Sequence, residues 1–199
     1  MRILLGMAVL AMLAAPVSAN LLSPSDAGFE DPWPDGAPEW YSQKQGGLIE
    51  RDSGIFGPGA PHSGSHWGSL QTGGNSDHAA WITIDASGAM LLDGWAAGGT
   101  NNANATVYVQ LIDGDENGTV LGTWSYNMPV TQGFGWTALP TLSGNASSGQ
   151  VTVKIGYDII SGWSNGTAIH VDDLVLTPEP ASLALLSLLG IPLLRRRRA

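Results

Sequence analysis

Cysteine is absent from the 199 residues, which removes disulfides, thiol catalysis and zinc–thiolate centres together. Positive charge is almost absent from the middle of the chain. Of the eight basic residues, Arg2 and Arg195 to Arg198 lie in the terminal segments. That leaves Lys44, Arg51 and Lys154 against sixteen acids between Asn20 and Thr177, a net of −13. Nucleic-acid binding needs clustered Lys and Arg, so this body has no footprint for it. Such acidity suits solubility and divalent cations. The same body lacks any amphipathic helical period and any repeat of fixed length. Without disulfides its stability must come from core burial, and its length is enough for one sizeable domain.

Long apolar runs occur only at the two ends. At the start, Arg2 precedes an apolar run from Ile3 to Ala15, and Val17-Ser18-Ala19 offers small residues for cleavage. That is the build of a secretory signal helix over residues 1–19, removed by signal peptidase between Ala19 and Asn20. At the other end, residues 181–194 are apolar or small and are followed by Arg195, Arg196, Arg197 and Arg198. As a helix this run spans about 21 Å at about 1.5 Å per residue. A bilayer core is about 30 Å, so the expected transmembrane helix is short, with Gly190 and Pro192 inside it. The arginines would stay cytoplasmic by the positive-inside rule. Pro178, Glu179 and Pro180 keep the junction extended and block helix propagation into it.

The body reads as many short strands. Runs at 80–84, 106–112, 119–126, 151–157 and 167–176 are rich in β-branched and aromatic residues or alternate apolar with polar. DGDENG at 113–118 suits a solvated hairpin turn, and Asn165-Gly166 suits a turn needing positive φ. The expected fold class is all-β, an antiparallel jelly-roll β-sandwich over residues 20–177.

Two resemblances attach to these residues. Pro178-Glu179-Pro180, the short apolar helix and the Arg cluster of 178–199 resemble the PEP-CTERM sorting signal of bacteria. The resemblance implies recognition by an exosortase, a membrane enzyme that cuts near the Pro-Glu-Pro motif. It also implies a setting in cell envelope, biofilm or exopolysaccharide matrix. A eukaryotic GPI signal would end apolar instead, and a permanent short anchor would give the same location. The body resembles galactose-binding-like jelly rolls, which include many carbohydrate-binding modules. NLLSPSDAGFEDP at its opening, PHSGSHWGSL at 61–70, Trp136 and the closing VDDLVL at 171–176 carry that likeness, in the family's order.

The second resemblance implies one structural calcium ion, held by an acid near the start and an acid of the last strand. Glu30, Asp172 and Asp173 are the candidate ligands, with Asp26 near them, against the reading that they are ordinary surface acids. Strand alternation would send Asp172 and Asp173 to opposite faces. All eight tryptophans lie in the body. Sugar rings stack on exposed aromatic faces, so Trp33, Trp40, Trp67, Trp95 and Trp163, in Gly/Pro/Ser-rich or strand-end contexts, are the candidate glycan contacts. Trp81 and Trp124, inside strand patterns, are expected in the core.

Catalytic patterns are poor. Gly162-Trp163-Ser164-Asn165-Gly166 matches G-x-S-x-G, but a nucleophile elbow needs a helix after it and here a strand follows. His62 and His66 have a helical zinc spacing within PHSGSHWG, which does not suit a helix. No carboxylate pair is picked out for glycoside hydrolysis. The sequence therefore points to an exported surface or matrix protein with a non-catalytic polysaccharide-binding domain. A structural or adhesive protein with no sugar site and a glycoside hydrolase are the alternatives.

Overall fold

The computed structural model describes residues 19–23, 27–30, 40–42, 48–51, 58–72, 77–162 and 166–179. Residues 1–18 of the signal segment, the apolar run 181–194, Pro180, Arg195 to Arg198, Asp26, Trp33 and Trp163 lie outside them. Residues 20–177 make one compact unit. Its strands are β1 (Tyr41–Ser42), β2 (Leu48–Arg51), β3 (Trp67–Thr72), β4 (His78–Asp85), β5 (Gly88–Gly99) and β6 (Ala103–Asp113). β7 (Thr119–Met128), β8 (Gly133–Ala138), β9 (Leu142–Ala146), β10 (Gln150–Gly162) and β11 (Thr167–Pro178) follow.

Two antiparallel sheets face each other in a jelly-roll sandwich. One has the order β1-β4-β10-β6-β7; the other runs β2-β3-β11-β5-β8, with β9 also paired to β5. Alternation decides what lies between them. Val107, Val109 and Leu111 of β6 point inward with Val153, Ile155 and Tyr157 of β10, against Met90 and Leu92 of β5. Burying such a branched or aromatic side chain contributes roughly 1.5–3 kcal/mol.

The last strand departs from simple alternation. Ile169 and Val171 are buried, and so are Leu174 and Leu176, so the inward phase slips by one residue between 171 and 174. Asp173 has φ +50° and absorbs the slip. Asp tolerates the left-handed region better than most residues. The first residues of the body are stitched to this strand. Leu21 N–H donates to Leu176 O at 2.8 Å, and the Asn20 side chain donates to Leu174 O and accepts from Leu176 N–H.

The DGDENG turn joins β6 to β7 as a hairpin and also grips its neighbour. Asp113 accepts from the amides of Ser147 and Ser148 at 2.9 Å each, and from the Ser147 hydroxyl at 2.6 Å. Hydroxyl and amide contacts from Ser147 and Ser148 hold the Asp113 carboxyl well below the usual carboxylate range.

Candidate functional site

The outer faces of the two sheets differ in what covers them. On the five-stranded sheet, the residues between the inward ones form rows across the strands. Trp81, Lys154, Gln110 and Thr123 lie in one row over β4, β10, β6 and β7. The next row is Ala79, Gly156, Tyr108 and Ser125. Any side chain at position 156 would collide with the Tyr108 ring, so glycine there lets the ring lie across the sheet. Asp158, Thr106 and Asn127 make a third row, with Thr106 donating to Asn127 at 2.8 Å.

Trp81 and Tyr108 are half-buried on this face. They sit two strands and one row apart, about 10 Å across the sheet and about 7 Å along it. Lys154, Gln110 and Asp158 border them. Burial, and then the charges of Asp158 and Asp77, push the Tyr108 hydroxyl up to about 12, so it remains a neutral donor. The Asp158 carboxyl is raised by burial and by Asp77, with Lys154 acting in the opposite sense. The face thus offers two aromatic rings, an ammonium, an amide and a carboxyl. That mixture suits a flat ligand with apolar C–H surfaces and hydroxyls at its edge.

Over the six-stranded sheet lies the turn 60–66, held by acids from both ends of the body. Asp172 accepts from the amides of His62 at 2.9 Å and Ser63 at 3.2 Å. Asp173 accepts from the Ser63 hydroxyl at 2.7 Å and lies 2.7 Å from His62 Nδ1. Glu30 accepts from the amides of Ser65 and His66. Asp172 and Asp173 therefore reach the same turn, not opposite faces as alternation predicts; the left-handed Asp173 is the reason. Burial pushes the Asp172 carboxyl up to about 6, although the Ser63 amide opposes the shift.

Glu30, Asp172 and Asp173 do meet around one turn, but their oxygens accept from N–H and O–H donors. Among the described residues no three carboxylate or imidazole groups form a set that could hold a metal.

The aromatic side chains beneath this turn are engaged with one another. Trp67 is fully buried and its indole N–H donates to His170 Nδ1 at 3.2 Å. Trp136 meets Trp67 edge-on at 6.5 Å and donates to Ala60 O at 2.8 Å. Trp95 is half-buried with His62 stacked on it at 3.8 Å. Trp40 is buried beside Phe29. Of the five tryptophans expected as glycan contacts, Trp40 and Trp67 present no ring face to solvent, Trp95 has a face taken by His62, and Trp33 and Trp163 are outside the described residues. Trp124 packs inward against Phe134 at 5.8 Å, in keeping with its expected place. Trp81, expected in the core, faces out. The sequence held a sign of this: in AWITI the inward set is Ala80, Ile82 and Ile84, and Trp81 falls between them.

A cleft of about 360 Å³ opens at one end of the sandwich, lined by Gly98 to Asn101, Thr131 to Gly135 and Pro58. Phe134 forms an aromatic wall and is packed on Tyr126 at 4.4 Å. Thr131 has φ +60°, a strained state for a β-branched residue. Its hydroxyl donates to Asn101 O at 3.1 Å.

No family model and no curated protein matches the sequence. Solved structures do match in shape. TmCBM61, solved in complex with β-1,4-galactotriose, superposes with a TM-score of 0.54 at 14% identity, covering 81% of this chain and 100% of that one. An arabinose-bound α-L-arabinofuranosidase, MgGH51, gives 0.50 at 14% identity, covering 83% of this chain and 27% of that one. The CBM22-1 xylan-binding domain of Paenibacillus barcinonensis Xyn10C gives 0.47 at 13% identity. The body shares its fold with carbohydrate-binding-module jelly rolls.

Proposed function

We propose that the body binds a polysaccharide without altering it, on the outer face of the five-stranded sheet. The carrying observation is the placement of Trp81 and Tyr108 on a face that no described residue covers, bordered by Lys154, Gln110 and Asp158. Their separation is on the scale of a disaccharide, so neighbouring units of one polymer could stack on each. The net of −13 disfavours a sulfated or uronate-rich polymer and favours a neutral one. The likeness to TmCBM61, solved with β-1,4-galactotriose, supports the same class of ligand.

The end cleft is the competing location, favoured by Phe134 and the strained Thr131. Affinity electrophoresis of the purified protein against neutral polysaccharides, galactan and xylan among them, tests the reading. Retardation abolished by Tyr108→Ala but kept by Phe134→Ala supports the sheet face; the reverse moves the site to the cleft. No retardation by any polymer overturns binding, and the structural or adhesive reading then replaces it. Release of reducing ends during incubation would instead support a hydrolase.

Export through residues 1–19 and sorting through Pro178, Glu179, Pro180 and the Arg cluster belong to the same proposal. Mass spectrometry of secreted material should find Asn20 at the start and Arg195 to Arg198 missing. A chain still ending at Ala199 refutes processing. Calcium at Glu30, Asp172 and Asp173 would have to take over oxygens that amides now hold. Thermal unfolding with and without a chelator decides it, since an ion bound only to the native state raises the midpoint.

A further inference from the structure

The acids of this body are not spread evenly. From Asn117 to Val153 the chain has no Asp, Glu, Lys, Arg or His. The fold gathers this neutral stretch on one flank, because it supplies β7, β8 and β9. The sixteen acids of the body all lie outside this stretch, so a second copy brought against it meets no like charge from these strands.

β7 is also an edge. Among the described residues it pairs with β6 alone, and it ends the order of its sheet. Its sequence TVLGTWSYNM holds no charge and no proline, the devices that blunt an exposed edge. One register shift lies near Leu121, leaving 122–128 regular. β1 at the opposite edge of the sheet is only two residues long, a length that offers little to pair with. Val120, Tyr126 and Val130 are 47%, 41% and 47% exposed, and all three belong to this flank.

We infer that β7 pairs antiparallel with β7 of a second copy, about a two-fold axis near Ser125, the centre of the regular stretch. Such an axis makes the contact isologous, so one uncharged strip serves both partners. Unpaired N–H and C=O groups of each edge satisfy one another, and equivalent Ser125 residues lie opposite across the join. The product is a sheet continuous over both copies, with the two outer faces on the same side. If those faces bind polysaccharide as proposed above, one polymer could engage both, and linkage would tighten binding without any new contact.

Sedimentation velocity of the full chain over a range of concentrations tests the pairing. The expected result is a dimer for the unaltered chain. Thr123→Glu with Ser125→Glu sets like charges across the axis on exposed side chains and should return the mass to that of one chain. Ser87→Glu, the same charge in the turn after β4, should remain dimeric. A monomer at every concentration overturns the inference, and so does a double variant that stays dimeric. The sugar reading fails separately: a dimer that no polysaccharide retards leaves the pairing intact and removes only its use.

Discussion

The two outer faces of the sandwich are built from similar residues and end in different states. Above the six-stranded sheet, Trp67, Trp95 and Trp136 pack with His62 and His170 under a turn clasped by three acids. Above the five-stranded sheet, Trp81 and Tyr108 lie among polar neighbours with no such turn over them in the described residues. An aromatic residue becomes a binding surface or a structural one according to what the chain lays across it. Number and local sequence do not decide that.

If the contrast is right, substitutions on the two faces should separate stability from binding. Trp67→Ala should have the largest effect, a loss of about 3–5 kcal/mol, because it empties a fully buried indole site. Denaturant titration would register it, and a shift below about 1 kcal/mol would deny that the clasped face is structural. Asp172→Ala should come next, at about 1–3 kcal/mol, since it leaves the His62 and Ser63 amides without their acceptor. The same titration reads it, and bound polysaccharide should be unaffected in the folded protein.

Trp81→Ala should do the opposite. It should weaken polysaccharide binding about tenfold, about 1.4 kcal/mol, with a smaller change in the unfolding midpoint. A variant that binds normally but unfolds early would assign Trp81 to packing. The smallest effect is expected at Asp113→Asn, far from both faces. The folded state depresses this carboxyl, so its contribution is present above the usual carboxylate pKa and is lost as pH falls toward the folded value. The difference in thermal midpoint between the two proteins should therefore shrink below about pH 4. A difference that is constant with pH would mean the serine contacts do not depend on the charge.

Much of the fold could be read from alternation. The runs expected at 80–84, 106–112, 119–126, 151–157 and 167–176 lie within β4, β6, β7, β10 and β11. β5 was hidden because GAMLLDGWAAGG mixes four glycines into a strand of twelve residues. One of them, Gly94, has φ +152° and would drive any side chain into Leu174. Glycine normally argues against a strand interior, so close packing under β11 is visible only in three dimensions. β8, with Gly133 and Gly135, was hidden for the same reason.

The site was less legible than the fold. Thr106, Tyr108 and Gln110 form the polar-side set of β6, and their alternation with valines was in plain view. Nothing in sequence said that, among the described residues, the turn 60–66 covers the other face and not this one. That distinction rests on Glu30, Asp172 and Asp173 reaching one turn from opposite ends of the body. The slip at Asp173, which lets two adjacent acids act together, has no local sequence mark beyond the tolerance of Asp for positive φ.

The stitch between Asn20 and β11 also bears on how the domain would carry load. A pull delivered at Thr177 enters β11, an interior strand with β3 and β5 on its two sides. A pull along the strand axis loads the β5 ladder and, farther in, the β3 ladder at Thr167–Val171. Asn20 fastens the first residue of the body to Leu174 and Leu176 on that same strand, so both exits of the chain share a single mechanical anchor point.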